Sequence, residues 1–236
     1  MRILEAKKIT KSYQLGDRSI DVLKNVSLEI PAGQFVAIIG SSGSGKSTLL
    51  SILSGLDHPS AGSVWLGGTD ITHFSEDDLA PLRNEMIGFV FQSFHLVPSL
   101  SAIENIMFPA ELQGLPDAQE RAEALLERVN IVERAENFPH QLSGGEKQRV
   151  AICRALINNP KIIFADEPTG NLDTANGQGI LDLLLDLQKE NDTTLIMVTH
   201  DPQIAALADR TIRLQDGVII EDTANRQKRE PAAVIA

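Results

Sequence analysis

"GSSGSGKSTLL", Gly40 to Leu50, follows the apolar run Phe35-Val36-Ala37-Ile38-Ile39 and leads into Ser51-Ile52-Leu53. A strand, a glycine-rich loop and a helix are legible in that order. Gly40, Ser41, Ser42, Gly43, Ser44, Gly45, Lys46 and Ser47 fit G-x-x-x-x-G-K-[ST] in the strand-to-helix context that the pattern requires. The glycines let the chain fold tightly enough to aim successive N–H groups at phosphate oxygens, and Thr48 extends the set at the helix start. Lys46 supplies a point charge for the β- and γ-phosphates, and Ser47 can ligate Mg2+. The loop by itself says nucleotide, a property that kinases, GTPases and many ATPases share.

Working outward, "KIIFADEP" supplies the second half of such a site. Its apolar residues read as a buried strand, and Asp166 at the strand end can hold Mg2+ near Ser47. Glu167 follows at once and could polarise a water in line with the γ-phosphate, the general-base role of hydrolysis. Ahead of the loop, "ILEAKKI" and "VLKNVSLEI" are alternating segments separated by turn clusters, and they predict strands of a small antiparallel sheet. A strand is expected at "GSVWLGG", a helix at "EDDLAPLRNEM" and a buried strand at "IGFVF". Residues from about Gln92 to Asn159 then carry three helical patterns in succession with no strand among them. Afterwards "TTLIMVTH" and "DRTIRLQDGVIIED" return to strands, the second with a hairpin signal at Asp216-Gly217.

The fold class expected is therefore α/β: a P-loop core with a mainly parallel sheet and flanking helices, a small antiparallel β-subdomain and an inserted helical subdomain. One nucleotide-binding domain over 1–222 is predicted, its core about 1–91 and 159–222 and its helical subdomain about 92–158. Residues 223–236 are expected to form a mobile tail.

Composition removes several classes of partner. With 21 Lys+Arg against 32 Asp+Glu the formal charge is -11, which disfavours nucleic acid and unspecific attraction to anionic lipid. The lone cysteine, Cys153, cannot make an internal disulfide and fits a reducing compartment. "MRILEAKKITKSYQ" has no apolar stretch of the kind a secretory leader needs, and other apolar runs are far shorter than a bilayer span. A soluble chain on the cytoplasmic side is expected.

"LSGGEKQRVAICRAL", Leu142 to Leu156, opens an amphipathic helix with a serine and two glycines. Ser143, Gly144 and Gly145 would present N–H groups and the positive end of the helix dipole as a second anion site. A capping box explains Ser143 and Glu146 by themselves but does not require the glycines. Here the chain resembles the ATP-binding cassette (ABC) family, for which "LSGGE" is a specific signature. The resemblance implies a head-to-tail homodimer, in which each signature covers the γ-phosphate of ATP held by the other copy's P-loop.

It also implies roles in family order. Tyr13 in "KSYQ" matches the aromatic that stacks on adenine, and Gln92 in "FVFQSF" the glutamine that reaches the Mg2+ site and links core to helical subdomain. Asp173 in "GNLD" matches the residue that touches the opposite subunit, and His200 in "IMVTHD" the histidine that contacts the γ-phosphate. Cys153 departs from the small residue, such as alanine, expected there.

"ADEPTGNLD", "GLDHPSAG" and "LRNEMIGFVFQSFHLVPSLSAIENI" look like the group of LolD, MacB and YbbA-type ATPases, with FtsE as a neighbour. The implied function is an ATPase subunit of a membrane export or mechanotransmission complex, peripheral on the cytoplasmic face of the inner membrane. Its permease-type partner is expected to dock near Phe94 to Leu100, where "SFHLVPSLSAIENIMF" crowds apolar residues into a loop-like stretch. A regulatory ATPase that activates an extracytoplasmic enzyme stays open. A soluble ABC ATPase is disfavoured, since neither a second cassette nor a coiled-coil insertion is visible.

Overall fold

The computed structural model describes residues 2–16 and 18–225. Two strands open the chain, β1 (Arg2–Leu15) and β2 (Arg18–Pro31). Along β2, Val26, Leu28 and Ile30 point inward and Ser27 and Glu29 outward, the period-two pattern of a sheet wet on one side. Next come β3 (Phe35–Ile39), α1 (Lys46–Leu53), β4 (Ala61–Leu66) and the two-residue β5 (Thr69–Asp70). Helix α2 (Glu76–Met86) leads into β6 (Ile87–Phe91). Three helices follow: α3 (Ala102–Leu112), α4 (Ala118–Arg128) and α5 (Gly144–Leu156). The chain then runs through β7 (Ile162–Asp166), α6 (Thr174–Glu190), β8 (Thr194–Val198) and α7 (Pro202–Leu207). It finishes in a hairpin of β9 (Arg210–Gln215) and β10 (Val218–Ala224).

The strands form two sheets, a four-stranded antiparallel one ordered β2-β1-β4-β5 and a six-stranded one ordered β10-β9-β3-β8-β7-β6. In the larger sheet β9, β3, β8, β7 and β6 run parallel, and β10 pairs antiparallel to β9. The expected α/β architecture is observed.

Alternation along the central strands divides the interior in two. Phe35, Ala37, Ile163, Ala165, Leu195 and Met197 face one side and pack with α3, α4, α5, α6 and α7. Val36, Ile38, Ile162, Phe164, Ile196 and Val198 face the other and pack with α1, α2 and the antiparallel sheet. The inserted helices thus share one continuous core with the sheet. Contact is close enough at Gly88 of β6 that a Cβ would lie 2.3 Å from the Ala155 carbonyl oxygen of α5.

Two expectations need amendment. The first strands are 14 residues each, longer than the short alternating segments suggest, because register shifts at residues such as Lys7 to Thr10 let them continue past residues that break the alternation. The first residues of the expected tail are part of a strand. Thr223 and Ala224 belong to β10, and Asn225 is tied down, its N–H donating to Asp209 O at 2.7 Å and its side chain to Ala208 O at 2.9 Å. Residues 226–236 lie outside the described residues.

Candidate functional site

The carboxyl ends of β3, β7 and β8 gather at one edge of the parallel sheet, where ligands of open α/β sheets are held. From β3 the chain turns through Gly40 to Gly45 into α1. The first residue before that helix, Gly45, has φ 99°, and a Cβ there would meet Val22 O at 2.9 Å; at Gly40 it would meet Leu214 O at 2.2 Å. Only glycine fits this left-handed turn pressed against backbone. Helix α1 starts with no side-chain cap, whereas α2, α3 and α5 are closed by capping boxes. Its first-turn N–H groups therefore need an outside acceptor.

That end of α1 opens into a cavity of about 760 Å³ lined by Gly40, Ser41, Ser42, Gly43, Gly45, Lys46, Ser47 and Thr48, with Glu167 and His200 across from them. Lys46 is buried, and its Nζ donates to Ser41 O at 2.9 Å, so the ammonium is held against the loop it serves. Ser44 differs from its neighbours in the motif. It is buried off the cavity, and its N–H donates to Ser41 O at 3.2 Å.

Ser47 and Asp166 meet where the chemistry requires. Ser47 Oγ donates to Asp166 Oδ1 at 3.4 Å, which brings two hard oxygen ligands together at the cavity. Burial pushes the Asp166 carboxyl above its ordinary value; the neighbouring Glu167 charge adds to this, and Ser47 and Lys46 offset part of it. Glu167 stands at φ 44°, a strained conformation for a non-glycine residue, fixed by its N–H donating to Val198 O at 3.0 Å. His200 Nδ1 lies 3.0 Å from Glu167 Oε2.

The remaining candidates lie around this cavity and not in it. Gln92 Nε2 donates to Asn171 Oδ1 at 3.2 Å, and Asn171 Nδ2 donates back to Gln92 O at 2.9 Å, so the glutamine faces the 170–172 segment. Asp173 caps α6, accepting from Asn176 N at 3.0 Å, and lines a second hollow of about 470 Å³ that shares Glu167 and His200 with the first. Ser143, Gly144 and Gly145 line neither. Ser143 Oγ accepts from Glu146 N at 3.3 Å while Glu146 Oε2 accepts from Ser143 N at 2.7 Å, and a Cβ on Gly144 would lie 3.2 Å from Leu172. Tyr13 is exposed on β1 with its hydroxyl donating to Asp57 Oδ2 at 3.0 Å. Cys153 is a buried core thiol pushed up to about 12 by burial, hence inert.

Sequence reasoning missed three features. Val22 of β2 lines the phosphate cavity, and Lys11 and Asp57 surround Tyr13. A groove of about 1060 Å³ also runs between α2, β6 and α3, walled by Phe89, Phe91, Phe108 and Leu112 and rimmed by Asp77, Arg83 and Glu85. Exposed Phe108 and Leu112 at helical spacing in "ENIMFPAELQG" were the available signal.

Fold and cavity together define a P-loop nucleotide-binding domain with a helical insertion. Residues 23–170 match the family described as ABC transporter. The lipoprotein-releasing system ATP-binding protein LolD of Pseudomonas fluorescens is 48% identical over 220 residues, covering 92% of this chain and 97% of LolD. The macrolide export ATP-binding/permease protein MacB of Syntrophobacter fumaroxidans is 48% identical over 93% of this chain, and the pyoverdine export protein PvdT of Pseudomonas fluorescens 50% over 94%. The chain spans about a third of those two relatives, 31% of MacB and 34% of PvdT. Among solved structures, the dimeric post-hydrolysis state of the ATP-binding cassette MJ0796 bound to ADP and Pi superposes with a TM-score of 0.88 at 41% identity, over 95% of this chain and 99% of that one. The chain belongs to the ABC transporter family, as an ATP-binding cassette.

Proposed function

We propose that this chain hydrolyses ATP as a homodimer and uses dimer closure to drive an integral membrane partner, at the cytoplasmic face of the inner membrane. One observation carries the reading: within a single chain the phosphate cavity is lined without any residue of the signature. A site that needs both must take its signature from a second copy. The dimeric cassette MJ0796 and the printed names of LolD, MacB and PvdT support the same reading. Among the described residues no helix is long and apolar enough to cross a membrane, so anchoring would come through a partner.

In this reading the open N–H groups of α1 and the Lys46 ammonium bind the phosphates, and Tyr13 receives the adenine. Ser47 and Asp166 fit Mg2+, which takes few protein oxygens and keeps the rest of its shell for phosphate and water. Mg2+ when bound would neutralise charge on the phosphate oxygens. Glu167 would accept a proton from the attacking water, and His200, beside it, would orient that carboxylate and contact the γ-phosphate. Gln92 would reach the metal only after leaving Asn171, and Asp173 would face the other copy.

The partner would dock in the groove beside Phe94 to Leu100. Within that stretch Leu96 packs on the core, Val97 is bonded through its N–H and carbonyl to Asn105, and Arg154 of α5 donates to Phe94 O at 2.9 Å. Val97 is 37% exposed there, and open apolar surface continues in the neighbouring wall of Phe108 and Leu112.

Glu167→Gln tests the catalytic part. Loss of a positioned base costs about 10² to 10⁴ in rate. Steady-state phosphate release should fall by that factor while ATP still binds; normal turnover would remove Glu167 from the role.

A further inference from the structure

Around Tyr13 the structure is more elaborate than an exposed strand aromatic needs. Lys11, two residues earlier and so on the same face of β1, places its Nζ 5.0 Å from the centre of the Tyr13 ring. The Lys11 side chain is only 12% exposed, and its Nζ donates to Asp57 Oδ1 at 2.6 Å and to His58 O at 2.7 Å. The other Asp57 oxygen accepts the Tyr13 hydroxyl at 3.0 Å. One carboxylate thus fixes both the tip of the ring and the cation over its face.

Asp57 is itself anchored to the phosphate helix. Its N–H and that of Leu56 donate to Ser51 O of α1, at 3.2 and 2.8 Å, and the Asp57 carboxylate also accepts the His58 N–H at 2.7 Å. The ring is therefore tied to the far end of the helix whose first turn, Thr48 included, lines the phosphate cavity.

We infer that Lys11 and Asp57 are positioning residues for the nucleotide base, locking the Tyr13 ring in one orientation beside the helix that opens the phosphate cavity. The inference rests on the reading that Tyr13 receives adenine. With the cation on one face, the other face is left as the stacking surface. Withdrawal of ring electron density toward Lys11 favours stacking on an electron-rich purine. A tyrosine free to change rotamer would have to be immobilised on each binding event, and preorganisation removes that cost.

The chain contains a single tyrosine, so the phenol can be titrated by absorbance without interference from another. Burial and then the bond to Asp57 hold the Tyr13 phenol above its ordinary value, with the Lys11 charge opposing. In the full-length protein, Asp57→Asn and Lys11→Met should each raise KM for Mg-ATP about 3- to 10-fold, the worth of ordering one side chain, with kcat within about twofold. The phenol should titrate at lower pH in Asp57→Asn and at higher pH in Lys11→Met. Tyr13→Ala should raise KM at least as much, and Asp57→Asn added to it should raise KM no further. An unchanged KM in both single variants, or an equal effect of Asp57→Asn with and without the tyrosine, overturns the positioning role. An unchanged KM in Tyr13→Ala instead overturns the adenine reading on which it rests.

Discussion

Asp166 shows how a single residue trades stability for chemistry. Its carboxyl is held above the ordinary value by burial and by Glu167, so ionising it costs more in the folded chain than in the unfolded one. With a folded pKa above the unfolded one, the group binds more protons folded than unfolded. Its contribution to stability therefore falls as pH rises from about 3.9 through the raised folded value. Asp166→Asn should remove that penalty: thermal unfolding without nucleotide should shift up by on the order of 2 °C at neutral pH, the gain vanishing below about pH 4. Phosphate release should be lost in the same protein. A variant less stable than the parent at neutral pH would contradict this account of Asp166. The phosphate-loop residues and the two acids were legible in sequence because local contiguity places them. Lys11 and Asp57 were not, since 46 residues separate partners that only the crossing of β1 over the end of α1 brings together.

At the scale of elements, periodicity found nearly every strand and helix, and the spacing of Gly45, Lys46 and Ser47 found the start of α1. It did not find the groove between α2 and α3, which is a product of packing. Asn158 of the segment after α5 donates to Asn84 O and Oδ1 at 3.0 and 2.9 Å and to Pro109 O at 3.2 Å, bolting α2 to α3 across the groove floor. The Pro109 carbonyl, in the last turn of α3, accepts from Asn84 and Asn158 side chains as well as from Gln113 N at 3.3 Å. Gln92 is paired with Asn171, a contact between residues 79 apart that no local pattern announces. Because Phe108 and Leu112 are 43% and 67% exposed, charge there should leave the fold intact. Phe108→Glu with Leu112→Glu should release the protein from membranes in a flotation assay while basal hydrolysis by the purified chain stays within about twofold and Tm shifts by about 2 °C or less. A folded variant that still floats with membranes would place the docking surface elsewhere.

For the whole molecule, the parallel sheet puts Lys46, Ser47, Glu167 and His200 around one cavity with Asp166 bonded to Ser47, and the helical insertion leaves Ser143 out of that lining. Shared packing of the insertion with the sheet through α5 and β6 makes it hard for one chain to bring its own signature to its own phosphates. On the proposed function, a complete site therefore requires a second copy. Light scattering after size exclusion, with Mg-ATP present, tests this in the Glu167→Gln protein and in the same protein carrying Ser143→Arg. The prediction is a dimer for the first, and for the second a monomer whose affinity for ATP is within about threefold of the parent's, since the added guanidinium falls outside its own phosphate cavity. A dimer that persists with Ser143→Arg, or a monomer that no longer binds ATP, would contradict a site shared between two chains.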